Sequence, residues 1–333
     1  MTAYRKHRYV SVSPASIYEG DRLACDLYVC QQPGKHVLFL SSETPFVTEF
    51  RQNLISRRID SLYLRAEDLS VYAEHILSRL ERAGELSTRE MEERATAAYE
   101  GTRFLLDNVY RDPRLETVGW VERGAMANVE FAIEEPGSAV HMMRLTRHDA
   151  YTAGHSMNVA VFGMALAMAV GEHADWMKRV SKGLFLHDIG KTKVPQDVIN
   201  CPGKLSDAQW AIMRKHPQYG EEVLRSMGRT DPIVLNVVTQ HHERMDGSGY
   251  PKGLKGDEIS YEARICTIVD VFDALTTERP YREMLSTYEG LSMMLQEMRD
   301  HVEPDLFAAF IRLFEENPSV LTPPARDALG QTL

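Results

Sequence analysis

From residue 159 to residue 170 the chain is apolar almost all round, and a helix without a polar stripe has to be enclosed by other helices rather than laid on a surface. Helical patterns follow one another from about residue 115 onward, and residues 174–186 lead directly into His187 and Asp188. This predicts an all-α bundle built round a buried central helix. Met157, Met164 and Met168 lie on or beside that helix, where thioethers fill gaps in a core, and they receive no chemical role.

The segment ahead of the bundle has a different grammar. Short runs rich in β-branched and aromatic residues at 27–30, 37–40 and 61–64, punctuated by Pro33-Gly34, predict strands of a small sheet. Between and after them, residues 46–57 and 66–82 carry apolar side chains at helical spacing, as in Leu69, Tyr72, Ile76, Leu77 and Leu80. Ser87-Thr88-Arg89-Glu90 reads as a capping box opening a helix to about Tyr110, which Asp112-Pro113 ends. That charged helix is expected to pack on its own domain, with a dimer stalk as the other reading. A chain of 333 residues commonly divides into two cores. The expected organisation is a small α+β N-terminal accessory or regulatory domain (1–84), connecting helices (85–135) and an all-α helical bundle (136–333).

Composition excludes several classes. A formal net charge of −10, from 38 basic and 48 acidic side chains, argues against coating polymeric nucleic acid by phosphate neutralisation, so an anionic ligand needs a locally positive pocket. Cys25, Cys30, Cys201 and Cys266 form no Cys-x-x-Cys pair, which points to reduced thiols rather than a thiolate metal site or a disulfide framework. No stretch approaches the roughly 20 apolar residues of a membrane span, and MTAYRKHRYVSV lacks the apolar core of a signal peptide, so a cytoplasmic protein is expected.

The chemistry concentrates in His155, His187-Asp188, His216, His241-His242 and Asp270. A lone histidine is most often structural, but adjacent His-Asp and His-His pairs make coincidence a poor account of the set. Imidazole and carboxylate without cysteine suit divalent manganese, iron, nickel or zinc. Seven ligands exceed one ordinary site, and a two-metal centre needs an anionic bridge, for which Asp188 is the candidate. Lys191, four residues after His187, would share its face on a continuing helix and offset charge on a phosphoryl oxygen, although Gly190 and Pro195 signal that the helix ends there. The glycine-rich run from His241 through Gly249-Tyr250-Pro251 lets backbone pass close to a ligand, and Arg279-Pro280-Tyr281-Arg282 offers two guanidinium groups beside a ring, suited to phosphate and purine.

His187-Asp188-Ile189-Gly190-Lys191, His241-His242-Glu243, Asp246-Gly247-Ser248-Gly249-Tyr250-Pro251 and Arg279-Pro280-Tyr281-Arg282 together resemble the HD-GYP phosphodiesterases, over roughly residues 140–315. The resemblance implies an HD-type helical bundle that hydrolyses cyclic di-GMP to linear pGpG, and in some members onward to GMP, by attack of a metal-bridging hydroxide. It assigns one metal to His155, His187, Asp188 and Asp270 and a second to Asp188, His216, His241 and His242, with iron or manganese preferred. It also implies Lys191, oriented by Asp273, at the phosphoryl group, Arg279 and Arg282 on phosphate or guanine, and Tyr250 shaping the pocket or docking a diguanylate cyclase-type protein through Gly249-Tyr250-Pro251. Three-metal relatives carry a glutamate four residues before the first histidine; Tyr151 stands there, so two metals are expected, with Asp149 as a supporting hydrogen-bond partner. Two other readings stay open at this stage: a cyclic dinucleotide-binding signalling module with weak hydrolysis, and a phosphodiesterase acting on cyclic GMP-AMP or pGpG. The N-terminal segment resembles the small domain preceding the catalytic domain in one branch of the family, with regulation or homodimerisation as its expected role.

Overall fold

A computed structural model describes residues 8–84, 90–146, 152–201, 203–277 and 284–321. Near the N-terminus four strands, β1 (Tyr9–Val12), β2 (Leu27–Gln32), β3 (Lys35–Leu40) and β4 (Leu62–Arg65), form one antiparallel sheet in the order β1-β4-β2-β3. β1 is the strand that the residue pattern did not announce. Its four residues alternate, with Val10 and Val12 buried against the core while Tyr9 and Ser11 face outward, and a run that short reads clearly only when β4 is beside it. The two helices anticipated beside the strands are α1 (Thr48–Ser56) and α2 (Leu69–Leu80); a 3₁₀ turn at Ala66–Asp68 precedes the second.

The rest is helical: α3 (Met91–Arg111), α4 (Leu115–Glu134), α5 (Pro136–Leu145), α6 (Thr152–Ala169), α7 (Ala174–Leu186), α8 (Gln196–Ile199), α9 (Asp207–Met213), α10 (His216–Ser226), α11 (Pro232–Gln240), α12 (Tyr261–Thr276), α13 (Thr287–Glu297) and α14 (Pro304–Glu316). Ser87, Thr88 and Arg89 of the proposed capping box lie outside the described residues. The charged helix α3 packs inside the protein, against α4, α5 and α6, and buries Ala95, Ala98, Tyr99, Leu105, Leu106 and Val109. Because α2 and α3 lay their apolar faces on the bundle helices, the described buried side chains make one apolar cluster from Val10 to Phe314, where chain length alone suggested two. None of the described helices is long and apolar enough to cross a membrane.

At the centre lies α6, buried at every position from Ala153 to Ala167. Its neighbours come close because small residues let them: a Cβ on Gly163 would stand 2.5 Å from Leu184 Cδ1 of α7, and one on Gly183 of α7 would stand 2.8 Å from Val237 Cβ of α11. On the other side Phe162 of α6 meets Phe272 of α12 edge to face, with ring centroids 5.2 Å apart.

One further contact positions the chemistry. α7 stops at Leu186, and residues Ile189–Lys193 turn as a 3₁₀ helix that lies directly on the backbone of α10. A Cβ at Gly190 would come within 1.9 Å of the His216 carbonyl oxygen and 2.4 Å of the Gly220 amide nitrogen. Backbone cannot step aside as a side-chain end can, so Gly190→Ala must push the turn off α10. The expected loss is about 3 kcal/mol, near the upper end of overpacking costs, against less than about 0.5 kcal/mol for Gly203→Ala, whose added methyl meets nothing within 4 Å. Urea unfolding midpoints at constant slope measure both. Equal losses at the two positions would mean the turn does not depend on this contact.

Candidate metal centre

The histidines and carboxylates singled out in the sequence arrive from separate elements: His155 from the first turn of α6, His187 and Asp188 from the end of α7, His216 from the start of α10, His241 and His242 from the end of α11, and Asp270 from the middle of α12. They converge. His155, His187 and Asp188 form one group and His216, His241 and His242 a second, each with ligand atoms within 4.8 Å of one another. Asp270 closes the first group, its Oδ1 3.1 Å from His155 Nε2, and also faces the second, its Oδ2 3.5 Å from His242 Nδ1. Asp188 stands between the groups. Oδ2 lies 3.6 Å and 3.5 Å from the Nε2 atoms of His155 and His187, and Oδ1 lies 3.3 Å and 3.9 Å from those of His216 and His241.

Hydrogen bonds on the far side of the rings set their tautomers. Nδ1–H of His187 donates to the Leu184 carbonyl at 2.8 Å, that of His216 to Met213 at 2.8 Å, and that of His241 to Val238 at 3.0 Å. Each ring therefore presents an unprotonated Nε2 to the centre. These lone pairs face each other: His216 Nε2 and His241 Nε2 are 3.1 Å apart, and Asp188 Oδ1 beside them is buried with no hydrogen-bond donor among the described residues. Leaving such an acceptor unpaired costs about 1–3 kcal/mol, more for a charged group, and a divalent cation among these three atoms removes that penalty. The donor set, imidazole and carboxylate without thiolate, fits a divalent metal.

The electrostatics agree. Burial would raise the Asp188 carboxyl, but the Lys191 ammonium beside it outweighs that and holds the carboxyl well below the usual range. Burial would raise Asp270 too, yet the hydrogen bond to His155 and the charge on that ring lower it. Desolvation pushes His216 down to about 3 and His242 down to about 4, and drives His241 well below its ordinary value, so these rings are neutral at neutral pH and free to bind a cation. His155 goes the other way: burial works against its charge, but the carboxylates of Asp270 and Asp273 prevail and raise it to about 9.

Two expectations need correcting. Lys191 is not carried on a continuing helix; it reaches Asp188 Oδ2 from the 3₁₀ turn, three residues on, because α7 has already ended. Nor does Asp273 orient Lys191. One turn beyond Asp270 on α12, it accepts from His155 Nδ1 at 2.7 Å and from Asn158 Nδ2 at 2.8 Å, so the residue it orients is a ring of the centre. Tyr250 turns inward, its ring 4.7 Å from that of His242. Arg279, Arg282, Tyr151 and Asp149 lie outside the described residues.

Other participants were not read from the sequence. Tyr99 of α3 donates to Asn158 Oδ1 at 2.9 Å, extending the chain from Asp273 and His155 to a helix far upstream. Asn158 itself left a signal, a polar residue three positions after His155 and just before the apolar run from residue 159; Tyr99 left none. Glu243, buried behind His242, accepts from the amides of Lys252 and Leu254 at 2.7 and 2.9 Å and so ties down the glycine-rich loop. Within that loop a Cβ at Gly249 would stand 2.5 Å from Glu243 Cα and 2.6 Å from the His242 carbonyl, so glycine is what lets Tyr250 fold back over His242.

Comparison with known proteins follows this geometry. A cyclic di-GMP phosphodiesterase of Pseudomonas aeruginosa is 36% identical over 180 residues, which is 54% of this chain and 43% of that protein. The 3'3'-cGAMP-specific phosphodiesterase 3 of Vibrio cholerae is 38% identical over 176 residues, 52% of this chain and 37% of that protein. This chain thus matches less than half the length of either relative. The solved structure of Bd1817, an HDG"Y"P protein from Bdellovibrio bacteriovorus, superposes with a TM-score of 0.70 over 92% of this chain and 99% of that one at 19% identity, a likeness of fold. The family model described as the HD domain matches residues 140–306, which hold the whole convergent set of histidines and carboxylates, and the chain belongs to that family.

Proposed function

We propose that this protein is a metal-dependent phosphodiesterase that hydrolyses a cyclic dinucleotide, cyclic di-GMP first, to the linear dinucleotide pGpG and, if the second bond is accepted, to GMP. The observation that carries this reading is the division of one carboxylate, Asp188, whose Oδ2 faces His155 and His187 and whose Oδ1 faces His216 and His241. One ion would be held by His155, His187, Asp188 and Asp270, and the other by Asp188, His216, His241 and His242, with iron or manganese preferred from the family resemblance. When bound, such a pair supplies charge neutralisation at a phosphoryl group and acidifies a water.

The chain's own side chains do the rest. Lys191 adds a fixed positive charge at the Asp188 edge, where it offsets charge on a phosphoryl oxygen as the P–O3′ bond breaks and water adds to phosphorus. Asp273 keeps a proton on His155 Nδ1 and so holds that ring with Nε2 toward the centre. The Tyr250 ring lies against that of His242, and this inward placement favours a pocket role over docking a diguanylate cyclase-type protein. Arg279 and Arg282 belong to the same proposal as phosphate or guanine contacts.

A second substrate has its own support, because the 38% identical relative from Vibrio cholerae is named for 3'3'-cGAMP. The partition into an accessory unit (1–84), connecting helices (85–135) and a hydrolase domain (136–333), residence in the cytoplasm and a homodimer complete the reading.

Metal-reconstituted protein should convert cyclic di-GMP to pGpG, resolved by chromatography beside 3'3'-cGAMP and pGpG as alternative substrates. Retained ions with no turnover of any of the three would sink the phosphodiesterase reading. Asp188→Ala should lose turnover and at least one ion per chain by metal analysis; two ions retained would remove Asp188 from the bridging role. Lys191→Ala should keep its metals and lose about 10²-fold in single-turnover rate, the scale for one electrostatic donor. An unchanged rate would leave Lys191 as a partner of Asp188 alone.

A further inference from the structure

Beyond the ligands, a row of planar groups leads outward from the centre. The His242 ring lies 4.7 Å from Tyr250, the Arg214 guanidinium carbon lies 5.5 Å from the Tyr250 centroid, and the same carbon lies 5.9 Å from the Trp210 centroid. Trp210 and Arg214 sit four residues apart, on α9 and at its C-terminal cap, and so share a face. That helix is set by a reciprocal cap, in which Ser206 Oγ accepts from Gln209 N at 3.3 Å and Gln209 Oε1 accepts from Ser206 N at 2.9 Å. Two residues past Arg214 comes His216, so the outer end of the row is tied to the centre through both Tyr250 and the backbone.

Two properties of the outer pair are unusual for a surface. Trp210 leaves 44% of its area exposed. Arg214 is exposed as well and, among the described residues, has no carboxylate within ion-pair distance, in a chain with ten more acidic than basic side chains. A guanidinium resting against two rings keeps its plane fixed while its N–H edge stays free. An exposed indole beside it is a face on which a nucleobase can stack.

We propose that Arg214 and Trp210 form the base-recognition subsite of the phosphodiesterase: a guanine of the cyclic dinucleotide stacks on Trp210 and accepts two hydrogen bonds from Arg214 at O6 and N7. This rests on the function proposed above. Base rather than phosphate follows from placement. Phosphate belongs among the ligands and Lys191, whereas Arg214 stands one ring further out, beyond Tyr250, as a base stands beyond its phosphate across the sugar. The guanidinium fork matches the paired acceptors of guanine and does not match adenine, which presents one donor and one acceptor on that edge. The subsite therefore selects for guanine.

The test uses metal-reconstituted protein and steady-state kinetics with cyclic di-GMP, comparing the unaltered chain with Arg214→Ala, Arg214→Lys and Trp210→Ala. Each substitution is expected to raise KM about tenfold or more at unchanged metal content, the scale of one bidentate base contact or one stacked base, with the effect falling on KM rather than kcat. Arg214→Lys separates base from phosphate: lysine keeps the charge and loses the fork, so its KM should stay raised, and KM restored to the unaltered value would overturn base recognition in favour of a phosphate contact. KM within twofold of the unaltered protein in both alanine variants would overturn the subsite altogether while leaving the phosphodiesterase intact. No turnover of a cyclic dinucleotide by the unaltered, metal-loaded protein would overturn the phosphodiesterase reading and this subsite with it.

Discussion

A carboxylate oxygen facing two imidazole lone pairs without a proton between them is the interaction from which the rest of this bundle follows. Asp188 Oδ1, His216 Nε2 and His241 Nε2 would repel one another in an interior of low dielectric, and none of the described residues donates a hydrogen bond to that oxygen. The chain holds them together with means that have no other purpose. Backbone carbonyls near the ends of α7, α9 and α11 fix the rings, and a side-chain-free residue at Gly190 lets the Asp188 turn rest on α10. An assembly this unfavourable on its own is relieved by a cation that completes it, which is why the arrangement reads as a metal centre before any relative is considered.

The sequence carried the convergent histidines and carboxylates and the helical class, and it did so for separate physical reasons. A helix apolar all round has only one place to go, and α6 went there. Paired His-Asp and His-His residues are chemically loud, and each of the seven reached the centre. Quieter features depended on contacts between distant segments. Asp273 shares a helix face with Asp270, but only the approach of α6 decides that its partner is His155 rather than Lys191. Tyr99 looks like any core aromatic until Asn158 meets its hydroxyl, and β1, four residues long, has a pattern only when β4 lies beside it. Arg214 gave no sign for the same reason, since the ring it rests on comes from a loop some thirty-six positions later in the chain.

The N-terminal unit and the bundle share more than a linker. Tyr99 stands on α3, which packs both toward the sheet-bearing segment and against α6, and its hydroxyl begins a line of hydrogen bonds through Asn158 and Asp273 to His155. Tyr110, further along the same helix, bonds Ser156, the neighbour of His155, at 2.7 Å. Two tyrosines of one helix thus hold the opening turns of α6, from which His155 presents its ring to the centre. Whatever shifts α3 along its axis also acts on the orientation of that ring.

The pinned Nδ1 protons have a consequence for selectivity. Each of His187, His216 and His241 has surrendered one nitrogen to the scaffold, so none can exchange tautomers or swing to suit an arriving ion. The cage is finished before its contents. An ion is then accepted or refused according to how well its size and preferred coordination suit fixed positions, and the protein acts as a gauge where a floppier set of ligands would act as a glove.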